Sequence, residues 1–76
     1  MVRITHYRYK CIGCAYCVEV APLRWQMNED DGKSDLIDST THNQVQTVIV
    51  DDTEYEENLE AAELCPAKCI KVEKIK

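Results

Sequence analysis

The chain reads as a single α+β domain, a pseudo-twofold βαββαβ arrangement with a small antiparallel sheet and two helices. Three observations predict it. The length, 76 residues, suits one domain. The hydrophobic pattern runs strand, helix, strands, helix, strand. The two halves also repeat. Laying Ala21-Pro22 on Cys65-Pro66 brings Cys11, Cys14 and Cys17 onto Tyr55, Asn58 and Ala61, so each half is a loop or helix that ends in x-Pro and leads into a strand.

Val2 to Tyr9 is rich in β-branched and aromatic residues, with Val2, Ile4 and His6 on one face, which predicts a strand. The run Lys10-Cys11-Ile12-Gly13-Cys14-Ala15-Tyr16-Cys17 follows as a loop. Cys14 to Ala21 can make a short helix, ended by Pro22, because proline disfavours helical geometry in the residue before it. Leu23 to Met27 is a second strand carrying Trp25. Asn28 to Lys33 is a turn with Asp31-Gly32 as its strongest signal, and Ser34 to Asp38 returns as a third short strand. Ser39 to Gln44 is polar and reads as a loop or connector. Val45 to Val50 is strongly β-prone and reads either as a further strand or as an extended lead into the next helix. Thr53 opens that helix, since Thr53-x-x-Glu56 fits a capping box. Tyr55, Leu59 and Ala62 form one apolar stripe, opposite Glu54, Glu56, Glu57, Glu60 and Glu63. Leu64-Cys65-Pro66 stops the helix, and Ile70 to Ile75 alternates apolar and charged as a closing strand.

So short a chain, without phenylalanine, buries a small core and needs a further source of stability. Its five cysteines are the evident source. Their odd number and close spacing argue for ligation rather than a disulfide framework. Met1 to Tyr7 lacks the apolar segment of a secretory signal, and nowhere do about 20 apolar residues run together as a membrane span requires. A reducing, cytoplasmic compartment is expected, where thiolates stay available to metal. The formal charge of −5 argues against a nucleic-acid partner and suits a protein partner with a basic docking face. A solvated acidic face is the plainer account of the same charge.

Cys11-x2-Cys14-x2-Cys17 is a specific signal for iron–sulfur ligation, because a cubane cluster needs four thiolate corners and three can come from one tight loop. Gly13 lets the backbone turn closely, with amide N–H groups toward sulfur. The fourth corner is expected far away in a Cys-Pro pair, and Cys65-Pro66 meets both demands.

These residues, Cys11-Ile12-Gly13-Cys14-Ala15-Tyr16-Cys17 with Cys65-Pro66-Ala67-Lys68-Cys69-Ile70, resemble the bacterial-type ferredoxins over nearly the whole chain. Two-cluster members carry Cys-x2-Cys-x2-Cys-x3-Cys-Pro, whose last cysteine ligates the other cluster. Here Ala21 stands at that position with Pro22 still in place, and Tyr55, Asn58 and Ala61 replace the other three ligands. The resemblance therefore implies a ferredoxin-like fold of the single-cluster branch. It implies one [4Fe–4S] cluster on Cys11, Cys14, Cys17 and Cys65, and a monomeric one-electron carrier that serves redox enzymes. Reduction would add negative charge to an acidic protein, so a low potential is expected. Ile12, Ala15 and Ile70 are expected as an apolar cover over the cluster. The segment from about 38 to 50 is longer than the family minimum.

Rival readings of the same cysteines are a zinc site and a structural cluster within a larger complex. Zinc modules favour two Cys-x2-Cys pairs, whereas the distal half here offers Cys65 and Cys69. An enzyme fits poorly, because a fourth cysteine is present and the chain is short for a substrate pocket beside a cluster. Cys69 reads as a small buried hydrophobe beside the cluster, with exchange as a reserve ligand as the sharper alternative. Trp25 and the tyrosines read as core and rim aromatics, with Tyr55 filling the space of the lost cluster. His6 and His42 lack ligand spacing and read as strand or surface residues.

Overall fold

A computed structural model describes residues 1–13 and 15–75. Cys14, one of the four expected ligands, lies outside the described residues. Strand β1 (Val2–Tyr7) is followed by a 3-10 turn over Arg8–Lys10, helix α1 (Tyr16–Val20) and strands β2 (Trp25–Met27) and β3 (Ser34–Leu36). Strands β4 (Thr40–His42) and β5 (Val45–Val50), a 3-10 turn over Asp52–Glu54, helix α2 (Tyr55–Leu64) and β6 (Ile70–Lys74) complete the chain.

The expected face of β1 is the buried one: Val2, Ile4 and His6 are each fully buried. β1 pairs antiparallel with both β5 and β6, within a sheet ordered β4-β5-β1-β6. β2 and β3 make a separate antiparallel hairpin, Trp25 opposite Leu36. The two helices pack on each other, α2 also against β6 and α1 against β2. Trp25, Ala21, Leu36, Ala61, Val50 and Ile70 join the β1 residues in one core.

The βαββαβ order is exceeded by one hairpin. The polar segment expected as a connector is β4 and its turn, and β5 is a full strand beside β1. Asn43 and Gln44 both take positive φ (50° and 64°), the geometry of a two-residue hairpin turn whose twist matches its strands. No glycine marks that turn, so composition hid it.

The start of α2 also differs. The capping box of Thr53 and Glu56 does not form. Asp51 instead accepts from the Thr53 backbone N–H at 3.1 Å, and a 3-10 turn precedes the helix. The buried line of α2 is Asn58 and Ala61, with Tyr55, Leu59 and Ala62 only partly covered. The expectation that Tyr55 fills an internal space gives way to another pair. Trp25 is 1% exposed, and its indole Nε1–H donates to Asn58 Oδ1 at 2.7 Å. Asn58 Nδ2 in turn donates to the Glu54 carbonyl at 2.8 Å. Tyr55 lies at the edge with Lys74 Nζ 4.6 Å from its ring centre. A buried asparagine is tolerated here because both ends of its amide are bonded.

Candidate metal centre

Cys11 sits where the 3-10 turn meets the cysteine loop, its N–H bonded to the Arg8 carbonyl at 3.1 Å. Arg8 anchors that turn to the β2–β3 hairpin. Its Nε donates to Asp35 Oδ1 at 2.7 Å, and Nη1 and Nη2 clasp Asp31 at 2.6 and 3.0 Å. Asp35 also accepts from Asn28 Nδ2 and Gln46 Nε2, both at 3.0 Å. Burial alone would raise the Asp35 pKa, but bonds from Arg8, Asn28 and Gln46 outweigh it and hold the carboxyl below its ordinary range.

The loop then lies against the tip of that hairpin. Gly13 has φ +76°, and a Cβ there would collide with the Gly32 carbonyl oxygen. The sequence assigns Gly13 to a tight turn of the loop itself; the packing against Gly32 is a second reason for glycine here. The same docking brings Ser34 to Cys11: the Ser34 backbone N–H donates to Cys11 Sγ at 3.4 Å, and Ser34 Oγ lies 3.5 Å from that sulfur. Ala15 follows in left-handed geometry (φ 67°) and starts α1, whose Cys17 is buried.

Cys65 caps the C-terminus of α2, with its N–H bonded to the Ala61 carbonyl at 3.1 Å. After Pro66 the chain curls, with Lys68 at φ 52°, so that several N–H groups face the Cys65 sulfur. Burial raises the Cys65 thiol pKa. Bonds from the Cys69 N–H and side chain and from the N–H groups of Ala67 and Lys68 outweigh it, leaving the thiol below its ordinary value. Cys69 Sγ lies 3.2 Å from Cys65 Sγ. Burial, then the bond with Cys65 and the charges of Cys65, Cys11 and Cys17, push the Cys69 thiol well above its ordinary value.

Cys11, Cys17, Cys65 and Cys69 line one cavity with Ile12, Ala15, Ser34 and Ile70. Thus three of the four predicted ligands come together. The aliphatic cover of Ile12, Ala15 and Ile70 is also where the sequence places it, with Ile12 67% exposed at the rim. Thiolates met by N–H donors inside an aliphatic wall are the chemistry an iron–sulfur cluster requires, so the donor set fits that group. Two residues at the site escape sequence reasoning. Ser34 reaches it only through the docked hairpin. His6, expected as a plain strand residue, is buried beneath the cavity with its ring edge on Trp25, centroids 4.9 Å apart. Neither carries a spacing signal.

A family model described as 4Fe-4S single cluster domain matches residues 4–72. No curated protein matches the chain. Among solved structures, wild-type ferredoxin 1 of Hydrogenobacter thermophilus is similar at 20% identity and TM-score 0.76, covering 99% of this chain and 100% of that one. A [3Fe-4S] ferredoxin associated with CYP194A4 from R. palustris HaA2 is similar at 19% identity and TM-score 0.70, covering 95% and 97%. Ferredoxin I of Desulfovibrio africanus is similar at 27% identity and TM-score 0.69, covering 99% and 100%. The two likenesses below 25% identity bear on the fold. The family match spans most of the chain, and the thiol cavity lies within it. The chain belongs to the 4Fe-4S single cluster domain family and is a bacterial-type ferredoxin, an iron–sulfur electron carrier.

Proposed function

We propose that the protein carries electrons singly, at low potential, on one [4Fe–4S] cluster held by Cys11, Cys14, Cys17 and Cys65. The observation that carries this reading is the converging sulfurs of Cys11, Cys17 and Cys65, set against the mirrored half of the chain. There Ala21, Tyr55, Asn58 and Ala61 offer no thiol, and Trp25 bonded to Asn58 occupies the interior. In this reading the fold is a pseudo-twofold βαββαβ unit with one emptied site, enlarged by the β4–β5 hairpin.

Bound in the cavity, the cluster supplies a reversible one-electron couple. The chain's own residues set its terms. The Ser34 N–H at Cys11, and the N–H groups of Ala67, Lys68 and Cys69 at Cys65, offset negative charge on the ligand sulfurs. The aliphatic wall limits water. The net charge of −5 works the other way and keeps the potential low. Glu56, Glu57, Glu60 and Glu63 are exposed along α2, an acidic face suited to a basic docking face on a partner redox enzyme. The R. palustris ferredoxin, described as associated with CYP194A4, supports a partner of that class. We place the protein in the cytoplasm as a monomer.

The test is anaerobic purification followed by EPR before and after dithionite. The expected result is a silent oxidised protein that gains a reduced-cluster signal and loses it again on reoxidation. A three-iron signal in the protein as isolated, or a cluster that dithionite cannot reduce reversibly, would overturn the reading.

A further inference from the structure

His6 lies fully buried on β1, and Gln46 faces it across the β1–β5 pair. The orientation of the Gln46 amide is decided by its other partners. Its Nε2–H donates to Asp35 Oδ1 at 3.0 Å, and its Oε1 accepts the Leu36 N–H at 3.0 Å. An amide oxygen has no hydrogen to give, so His6 Nδ1, 2.9 Å from that oxygen, carries the ring proton. Burial disfavours a second proton. His6 Nε2 therefore presents a bare lone pair, buried and, among the described residues, with no hydrogen-bond partner. Among the described residues, that nitrogen, Cys11 Sγ and Cys69 Sγ lie within 4.8 Å of one another.

This is the donor set of a metal site. One neutral imidazole with two thiolates suits a borderline-soft divalent ion of the zinc class, and the two thiolate charges match its own. The Nδ1–H bond to an amide oxygen is the outer contact that fixes a metal-binding histidine in its tautomer. The Ser34 N–H already supports the Cys11 sulfur. Binding replaces two S–H bonds by two metal–sulfur bonds and releases two protons to solvent. The ion itself drives deprotonation of a coordinating thiol.

We propose that His6 Nε2, Cys11 Sγ and Cys69 Sγ form a site for a single zinc-class cation in the chain that lacks its cluster. Cys11 cannot serve both, so ion and cluster exclude each other; that exclusion rests on the function proposed above, whereas the ion site itself does not. Excess zinc then holds the chain closed to cluster assembly.

The test uses the full chain produced under iron depletion, with Co2+ as the probe and Zn2+ as competitor. The expected result is one Co2+ per chain, tetrahedral ligand-field absorption displaced by Zn2+, and an X-ray absorption shell containing an imidazole nitrogen beside sulfur. His6→Ala should weaken cobalt binding by at least about 10–100-fold, the range for losing a supporting group, and Gln46→Leu by a smaller factor. Cobalt-loaded chain should resist cluster reconstitution with iron and sulfide, while His6→Ala should still take up the cluster. An all-sulfur shell on the unaltered chain overturns the site without recourse to any variant, as does unchanged affinity in His6→Ala. Normal reconstitution in the presence of bound cobalt overturns the exclusion. If cobalt binds through His6 but no chain ever forms a cluster, the ion site stands and the electron-carrier reading falls.

Discussion

Replacing Asn58 by alanine tests whether the mirrored half of the molecule is held by the Trp25–Asn58 pair. The change strips the Asn58 Oδ1 acceptor from the indole Nε1–H, at a residue 1% exposed, and orphaned buried donors cost about 1–3 kcal/mol. It also removes the bond from Asn58 Nδ2 to the Glu54 carbonyl, worth about 0.5–1.5 kcal/mol. The two sum to about 1.5–4.5 kcal/mol, before any cavity left by the lost side chain. For a domain of this size each kcal/mol shifts the midpoint by about 4–8 °C, so a drop of at least about 6 °C is expected. The assay is anaerobic thermal unfolding by circular dichroism of the cluster-loaded protein. Trp25→Phe removes the donor and so supplies the control. In that background Asn58→Ala should cost about 1 kcal/mol less or better, because no indole N–H is left unpaired. Equal costs in both backgrounds, or a single-variant loss below about 1 kcal/mol, would refute the reasoning.

Other consequences are as direct. Gly13→Ala forces a Cβ against the Gly32 carbonyl at φ +76°, so the left-handed geometry alone costs about 1–2 kcal/mol. The expected outcome is a sharply lower iron content after anaerobic purification. Cys69→Ala should keep a four-iron spectrum, whereas Cys65→Ala should lose it, as followed by visible absorption. Asp35 has a folded pKa below its unfolded value of about 3.9, so its contribution is present above about pH 4 and is lost as pH falls through the folded value. Asp35→Asn should therefore melt lower than the parent at neutral pH, and the gap should close below about pH 4. A constant gap across that range would contradict the role of its bonds to Arg8, Asn28 and Gln46.

What could be read in the sequence was whatever depends on local spacing. The cysteine loop, the Cys65-Pro66 stop, the buried face of β1 and the β2–β3 hairpin with its Asp31-Gly32 signal all announce themselves within a few residues. The β4–β5 hairpin did not, because Asn43-Gln44 takes a conformation usually marked by glycine. The start of α2 differs because Asp51 takes the Thr53 N–H that Glu56 would hold in a capping box. The inward line of α2 was missed because periodicity counts apolar residues, and the deepest side chain there is the polar Asn58, made neutral to burial by Trp25 and Glu54. Ser34 and His6 could not be placed at the site at all. Their positions follow from hairpin docking and from the β1–β5 and β1–β6 registers, pairings between residues distant in the chain.

Those long-range pairings bring sulfur from both ends of the chain to one cavity, and the content of that cavity is the central claim. Native mass spectrometry of the anaerobically purified protein reads it directly. The account predicts a single holo species heavier than the bare chain by one [4Fe–4S] unit. A mass increment of one zinc, of a three-iron cluster, or of two clusters would contradict it.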